Sequence, residues 1–270
     1  MTPTEFETIR YEVTDRTATI TFDRPDRLNA VSPQMGRELR TAYAAAEADE
    51  TVWTLLVTGS GRAFCAGADV TEIPEDGRVV YDEPYLSTYP QWEAPQEATP
   101  PFRTMTKPIV TAVNGLCCGA GLDLVTTGDI TIASDRAEFF DPHVSIGLVS
   151  GREMVRLARV LPLNVAMRVA LTGRHERLSA HRAYELGLVS EVVPHDQLMD
   201  RAREIVALVN RNAPLAVRGT RLAIRKGLDL PLHEAEILAE AFRERVVRTA
   251  DAKEGPAAFV EKREPKWEGR

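Results

Sequence analysis

Cysteine is scarce: Cys65, Cys117 and Cys118 are the only three in 270 residues. An odd count with two of them adjacent fits neither a disulfide framework nor the spaced pairs of a zinc site, so a reducing cytoplasm is the expected setting. Long apolar runs are missing too, since none reaches the roughly 18 residues that a bilayer-spanning helix needs. The opening MTPTEFETIRYEV carries acids and no basic-then-apolar pattern, so neither a signal nor a transit peptide is expected. Positive charge is in deficit, with 33 Lys and Arg against 40 Asp and Glu and a net charge of −7. That balance argues against nucleic-acid or membrane-surface binding, while leaving room for a local basic patch facing a phosphorylated ligand. None of the five histidines forms an H-E-x-x-H pair, so no dedicated metal site is expected. A nucleophile elbow is excluded because Ser150 in Gly147-Leu148-Val149-Ser150-Gly151 has the wrong glycine spacing. Walker A is absent, and Gly119-Ala120-Gly121 lacks the third glycine of a dinucleotide fingerprint, having Leu124 in its place.

What remains is an ordinary globular composition, 44% hydrophobic and 27% charged, suited to one large domain or one domain with a helical appendage. Alternation over residues 9–21 predicts two antiparallel strands turning at Thr14-Asp15-Arg16. Ser32-Pro33 offers an N-cap and a first-turn proline for a helix through about Asp49. Strands are predicted at 53–58, 108–113, 129–133 and 137–140, with a helix beginning at 122–127 and a turn at Asp141-Pro142-His143. From Glu153 onward the pattern is helical, over 155–160, 166–171, 180–186, 198–209, 215–226 and 232–249. Strand and helix alternating early, then helices alone, predict an α/β core with an α-helical C-terminal region. Between Thr71 and Pro101 six prolines and the aromatics Tyr81, Tyr85, Tyr89 and Trp92 interrupt any regular element. A loop of that length is expected to be either a lid or a tether.

Two small-residue segments carry the chemistry. Phe64-Cys65-Ala66-Gly67-Ala68-Asp69-Val70 follows a strand and a glycine turn, so a ligand can approach its main chain closely. Asn114-Gly115 through Gly119-Ala120-Gly121-Leu122-Asp123 precedes a helix whose first N–H groups favour negative charge. Each segment alone also fits a plainer role, tight packing of strand on helix.

Those two segments, together with Arg24-Pro25-Asp26-Arg27-Leu28-Asn29-Ala30 before them and Glu185-Leu186-Gly187-Leu188-Val189 after, resemble the crotonase superfamily (enoyl-CoA hydratase/isomerase) in the right order. The likeness extends to Glu254-Gly255, Ala258-Phe259 and Glu261-Lys262-Arg263. It implies a spiral of ββα units over residues 1–197 holding an acyl-CoA site, with a helical region over 198–270 that forms a homotrimer or a dimer of trimers. It implies no cofactor beyond the coenzyme A of the substrate. By resemblance, the Ala68 and Ala120 amides form an oxyanion hole for the thioester, and Arg27, Leu28, Ala66, Asp69, Val70 and Lys262 contact coenzyme A. Two fixed donors aimed at an oxygen that gains charge stabilise an enolate-like transition state more than the ground state.

The family's hydratases use two glutamates, and this sequence departs at both: the aligned positions hold Asp123 and His143. A histidine keeps proton transfer near neutral pH but changes its charge logic. It can alternatively be a surface turn residue after Asp141-Pro142, and Asp141 itself reads as a turn former. Glu153 either begins a helix, where an acid is favoured, or faces the pocket and pairs with His143. The expectation is therefore an enoyl-CoA hydratase/isomerase-type enzyme with Asp123, His143 and Glu153 as candidate catalytic residues. The alternatives are a retro-Claisen carbon–carbon hydrolase of the same superfamily and a non-catalytic acyl-CoA-binding paralogue. The aromatic, acidic, proline-punctuated stretch from Tyr81 to Trp92 raises the further expectation of a pocket roof for a branched, cyclic or aromatic acyl chain.

Overall fold

The structure is a computed structural model that describes residues 6–72 and 105–270. The expected lid of residues 71–101 therefore lies outside the described residues from 73 onward.

A six-stranded sheet has the order β1 (Ile9–Thr14), β2 (Thr17–Phe22), β3 (Thr54–Gly59), β5 (Ile109–Val113), β7 (Ile130–Ser134), β10 (Glu191–Val193). Only the β1–β2 pair is antiparallel. A four-stranded sheet has the order β4 (Ala63–Cys65), β6 (Leu116–Cys118), β8 (Glu138–Phe140), β9 (Leu178–Ser179). Successive strand pairs β3–β4, β5–β6 and β7–β8 each place their first strand in the large sheet and their second in the small one. Helices α2 (Ala120–Thr127) and α3 (Arg152–Leu157) follow the last two pairs, which gives the ββα repeat that the resemblance implied.

The central strands are apolar at consecutive positions because both sheet faces are covered. Leu55 and Val57 enter the main core with α1 (Pro33–Ala48), while Leu56 between them packs with Leu198, Ala202, Ile205 and Val206 of α6 (Leu198–Asn210). Helix α1 starts where Ser32 and Pro33 predicted, with the Ser32 hydroxyl accepting from the Met35 N–H at 3.1 Å. The remaining helices are α4 (Leu163–Thr172), α5 (Ala180–Glu185), α7 (Pro214–Gly227), α8 (Leu232–Val246) and α9 (Asp251–Glu261).

Several boundaries differ from the sequence reading. The helix expected over 155–160 begins at Arg152 and closes at Leu157, its end tightening ahead of Pro162 as the Val160 N–H reaches the Leu157 carbonyl at 3.0 Å. The strand expected from Asp129 begins one residue later. The Asp129 N–H donates to the Ile109 carbonyl, and its carboxylate accepts from Ile109, Arg221 and Arg225. Helix α8 ends at Val246, short of residue 249. All three cysteines are buried and free, and burial raises each thiol pKa, those of Cys65 and Cys118 to about 12. No helix among the described residues is long and apolar enough to cross a membrane.

Candidate active site

The two small-residue segments meet backbone to backbone. Gly67 has φ +89° and Gly119 has φ +51° with ψ −121°, conformations in which a side chain is strained. A Cβ on Gly119 would lie 3.2 Å from Gly67 Cα and 3.7 Å from His143 Cε1, and one on Gly67 would lie 3.8 Å from the Ala120 nitrogen. Contact this close brings the amides of the next residues, Ala68 and Ala120, to one place.

Their orientation follows from the hydrogen bonds around them. Ala68 forms a parallel bridge with Val31, in which the Val31 N–H donates to Gly67 O at 2.8 Å and the Asp69 N–H donates to Val31 O at 3.0 Å. With both flanking groups facing Val31, the Ala68 N–H points the other way. Ala120 is the first residue of α2, so its N–H has no carbonyl one turn back to bond to. Among the described residues neither amide donates to a backbone carbonyl outside its own helix. Both residues are partly exposed.

One turn along α2 from Ala120 sits Asp123, 6% exposed, with Arg156 Nε of α3 3.3 Å from its Oδ1. His143, which borders Gly119, has its Nδ1 2.8 Å from Asp141 Oδ1 while its backbone N–H donates to the same oxygen at 2.9 Å. Asp141 is fully buried, and its Oδ2 accepts from the Ser150 hydroxyl at 2.7 Å. The Asp141 hydrogen bond raises the His143 pKa above 6.5, partly offset by burial, and the charges of Asp141 and Glu153 add to the rise. Burial alone would raise the Asp141 pKa, but the bonds from His143 and Ser150 outweigh it and lower the value. Glu153 opens the first turn of α3, and its charge acts on His143 through space, but no ion pair between the two is present among the described residues.

Asp141 corrects the sequence reading. It does form the turn, but its carboxylate also holds the imidazole, a role that turn propensity concealed. Ser150 and Arg156 were not found, because a serine in an irregular glycine turn and an arginine on a helix carry no distinguishing pattern.

The residues expected to contact coenzyme A divide. The Ala66 N–H donates to the Leu28 carbonyl at 3.0 Å, which joins the 27–28 loop to the edge of the site. Leu28 and Asn29 both have left-handed backbones (φ +54° and +56°). Buried Asn29 holds that shape through the Arg24 N–H and the carbonyls of Ser60 and Ala63, at 2.8–2.9 Å. Arg27 and Val70 are exposed, and Ala66 is half-buried. Asp69 is turned inward, its carboxylate 3.0 Å from Arg24 Nη2 and accepting from the Thr71 hydroxyl at 2.7 Å, so what it can offer a ligand is main chain. Lys262 stands at the C-terminal end of α9, with φ +55°, and no contact among the described residues ties it to the amide pair.

A sequence model of the enoyl-CoA hydratase/isomerase family matches residues 12–270. The chain is 34% identical to the mevalonyl-coenzyme A hydratase of Aspergillus fumigatus, over 92% of this chain and 90% of that protein. It is 33% identical to the (E)-benzylidenesuccinyl-CoA hydratase of Thauera aromatica, over 97% and 99% respectively. Among solved structures, an enoyl-CoA hydratase/isomerase from Mycobacterium paratuberculosis superposes with a TM-score of 0.92 at 71% identity, covering 98% of this chain and all of that one.

Proposed function

The chain belongs to the enoyl-CoA hydratase/isomerase family, and we propose that it adds water reversibly across the double bond of a 2-enoyl-CoA thioester, with Asp123 and His143 as the proton-transfer pair. The observation that supports this is the backbone contact of Gly67 with Gly119, next to the Ala68 and Ala120 amides, with His143 Cε1 3.7 Å from where a Gly119 Cβ would lie and Asp123 one turn along α2.

Asp123 faces the guanidinium of Arg156 and His143 faces the carboxylate of Asp141, which assigns the base role to the first and the acid role to the second. Asp123, ion-paired with Arg156, serves as the base that takes a proton from water as the water oxygen bonds to C3. The electron pair of the C2–C3 double bond moves toward the thioester, and its oxygen gains charge between the two amide donors. His143, whose pKa Asp141 raises, delivers a proton to C2 from Nε2. One proton then passes from Asp123 to His143 through solvent, and both groups return to their starting states. Removing one donor of such a hole costs about 3 kcal/mol of transition-state stabilisation. Arg27, Leu28, Ala66, Asp69, Val70 and Lys262 complete the reading as the coenzyme A contacts. A homotrimer or dimer of trimers belongs to it, supported by the large apolar residues that α7–α9 expose, and so does a cytoplasmic setting, which the scarcity of cysteine suits.

The test is loss of the conjugated thioester absorbance with crotonyl-CoA and a panel of branched and cyclic enoyl-CoA esters. His143→Ala is expected to lose at least about a hundredfold in kcat with coenzyme A affinity retained. An inert wild type that still binds the thioesters would sink hydration.

One observation favours a second reading. Asp141 behind His143, with Glu153 acting on the same ring, is also an arrangement that activates water. In retro-Claisen hydrolysis that water adds to the ketone carbon of a β-diketone, the carbon–carbon bond breaks, and the enolate leaves with the electron pair. Turnover of cyclic β-diketones by a chain inert to enoyl-CoA would select it.

A further inference from the structure

Helix α2 offers the Ala120 amide at its N-terminal end and Asp123 one turn on, so the aim of both depends on how the helix is held. It has eight residues, Gly121 to Thr127 are all buried, and its last turn contains no basic residue of its own. The carbonyls at its C-terminal end have no partner within the helical ladder, and leaving such groups buried and unbonded is costly. Arg225 of α7, 98 positions beyond Thr127 in the chain, meets them. Its Nη1 donates to the Thr126 carbonyl at 3.3 Å, and its Nη2 donates to the carbonyl of Thr127, at 3.0 Å, and to that of Gly128. The Thr127 hydroxyl in turn donates to the Asp123 carbonyl at 2.5 Å. One run of hydrogen bonds therefore leads from the guanidinium to the backbone of the candidate base.

The guanidinium is itself fixed. Its Nε lies 2.9 Å from Asp129 Oδ1, while Asp129 Oδ2 accepts from the Ile109 N–H of β5 at 2.8 Å. A planar fork with several donors can hold a carboxylate and three carbonyls at once, which the compact charge of a lysine does less well. Arg221, one turn earlier on α7, shares only half of this arrangement. It reaches Asp129 Oδ2 at 2.6 Å and donates to the Met105 carbonyl, and none of its hydrogen bonds among the described residues goes to α2. We propose that Arg225 is a positioning residue of the active site, which holds the C-terminal end of α2 and thereby sets the Ala120 amide and Asp123 without touching substrate. The proposal rests on the hydratase reading for its turnover assay and on the amide pair alone for a second readout. Misplacing a reacting group by about 1 Å is enough to cost roughly a hundredfold in rate.

The experiment sets Arg225→Met beside Arg221→Met, which removes the neighbouring cation from the same aspartate and leaves the bonds to α2 in place. Urea unfolding reports stability, crotonyl-CoA turnover reports kcat and KM, and the ultraviolet absorbance of bound acetoacetyl-CoA reports how far the amide pair favours its enolate. Both variants are expected to unfold at lower urea. Only Arg225→Met is expected to lose kcat, by about tenfold to a hundredfold with KM within about threefold, and to show a smaller enolate fraction. Arg225→Lys restores the charge and part of the bonding, so it should fall between that variant and the wild type, and it carries the same comparison if Arg225→Met does not fold. An equal loss of kcat in the two methionine variants, no loss in either, or an enolate fraction that Arg225→Met leaves unchanged makes Arg225 a stability residue and overturns the proposal. A wild type inert to crotonyl-CoA that still forms the enolate ends the hydratase reading, and the enolate comparison then decides Arg225. Binding of acetoacetyl-CoA by the wild type without enolate overturns the amide pair and the proposal together.

Discussion

Asp141 has no exposed surface, yet both of its oxygens are engaged, one by the His143 ring and backbone, the other by Ser150. It fixes the Nδ1 proton, and in the proposed mechanism this leaves Nε2 as the atom that exchanges with substrate. Because this contact raises the His143 pKa, its loss lowers it. Asp141→Asn should therefore move the alkaline limb of the pH–rate profile to lower pH and reduce kcat by roughly a hundredfold. Imidazole NMR titration would show the same shift, and an unmoved limb would leave Asp141 a turn former only. Stability follows the same sign. A raised folded-state pKa contributes stability that is complete below the unfolded value near 6.5 and is lost as pH rises through the folded value. None of this was legible at Asp141 in the sequence, since the bond depends on a side-chain orientation that turn propensity does not encode.

Helix α1 illustrates the same contrast at the scale of an element. Its start was readable because Ser32 and Pro33 act locally, but its end is held from a distance. Buried Lys107, just ahead of β5, donates to the carbonyls of Ala46 and Asp49 at 2.6 Å, and the last turn of α1 has no basic residue of its own. Burial first, then the Arg218 charge, bring its pKa down to about 8 against the pull of Glu47, Asp49 and Glu50. Between that value and the unfolded one near 10.4 the unfolded chain binds more protons, so this lysine adds stability as pH rises. The three buried thiols act oppositely, because they stay protonated in the fold when the unfolded chain ionises. The prediction is therefore a difference: urea unfolding should show the gap between wild type and Lys107→Met widening from pH 8 to pH 10, and a constant gap would refute it. Strands β4, β6, β9 and β10, of two or three residues each, escaped the sequence reading, whereas β8, equally short, was read from its β-rich run ahead of the Asp141-Pro142 turn. The bounds of helix α9 escaped the periodic reading too, its pattern interrupted by Gly255 and Pro256, although the resemblance implied a helical region there.

For the whole molecule, motif order carried the fold where periodicity could not. Four segments in register placed the ββα spiral, while the α7–α9 region was legible only as helices. Those helices expose Leu228 at 71%, Leu232 at 75%, Phe259 at 85% and Val260 at 79%. Light scattering should then give three or six times 29.9 kDa, about 90 or 180 kDa, and Phe259→Lys with Val260→Lys should reduce the mass. A monomeric wild type would remove the trimer from the reading. Within one chain, the bridge between Val31 and Ala68 has a mechanical meaning. Val31 immediately precedes the Ser32 cap of a sixteen-residue helix, so the Ala68 donor is indexed to a rod seated in the main core and inherits that rod's stiffness. Any axial slip of α1 would reach the thioester as an error of aim, which makes a helix without a single catalytic side chain the alignment bench of the site.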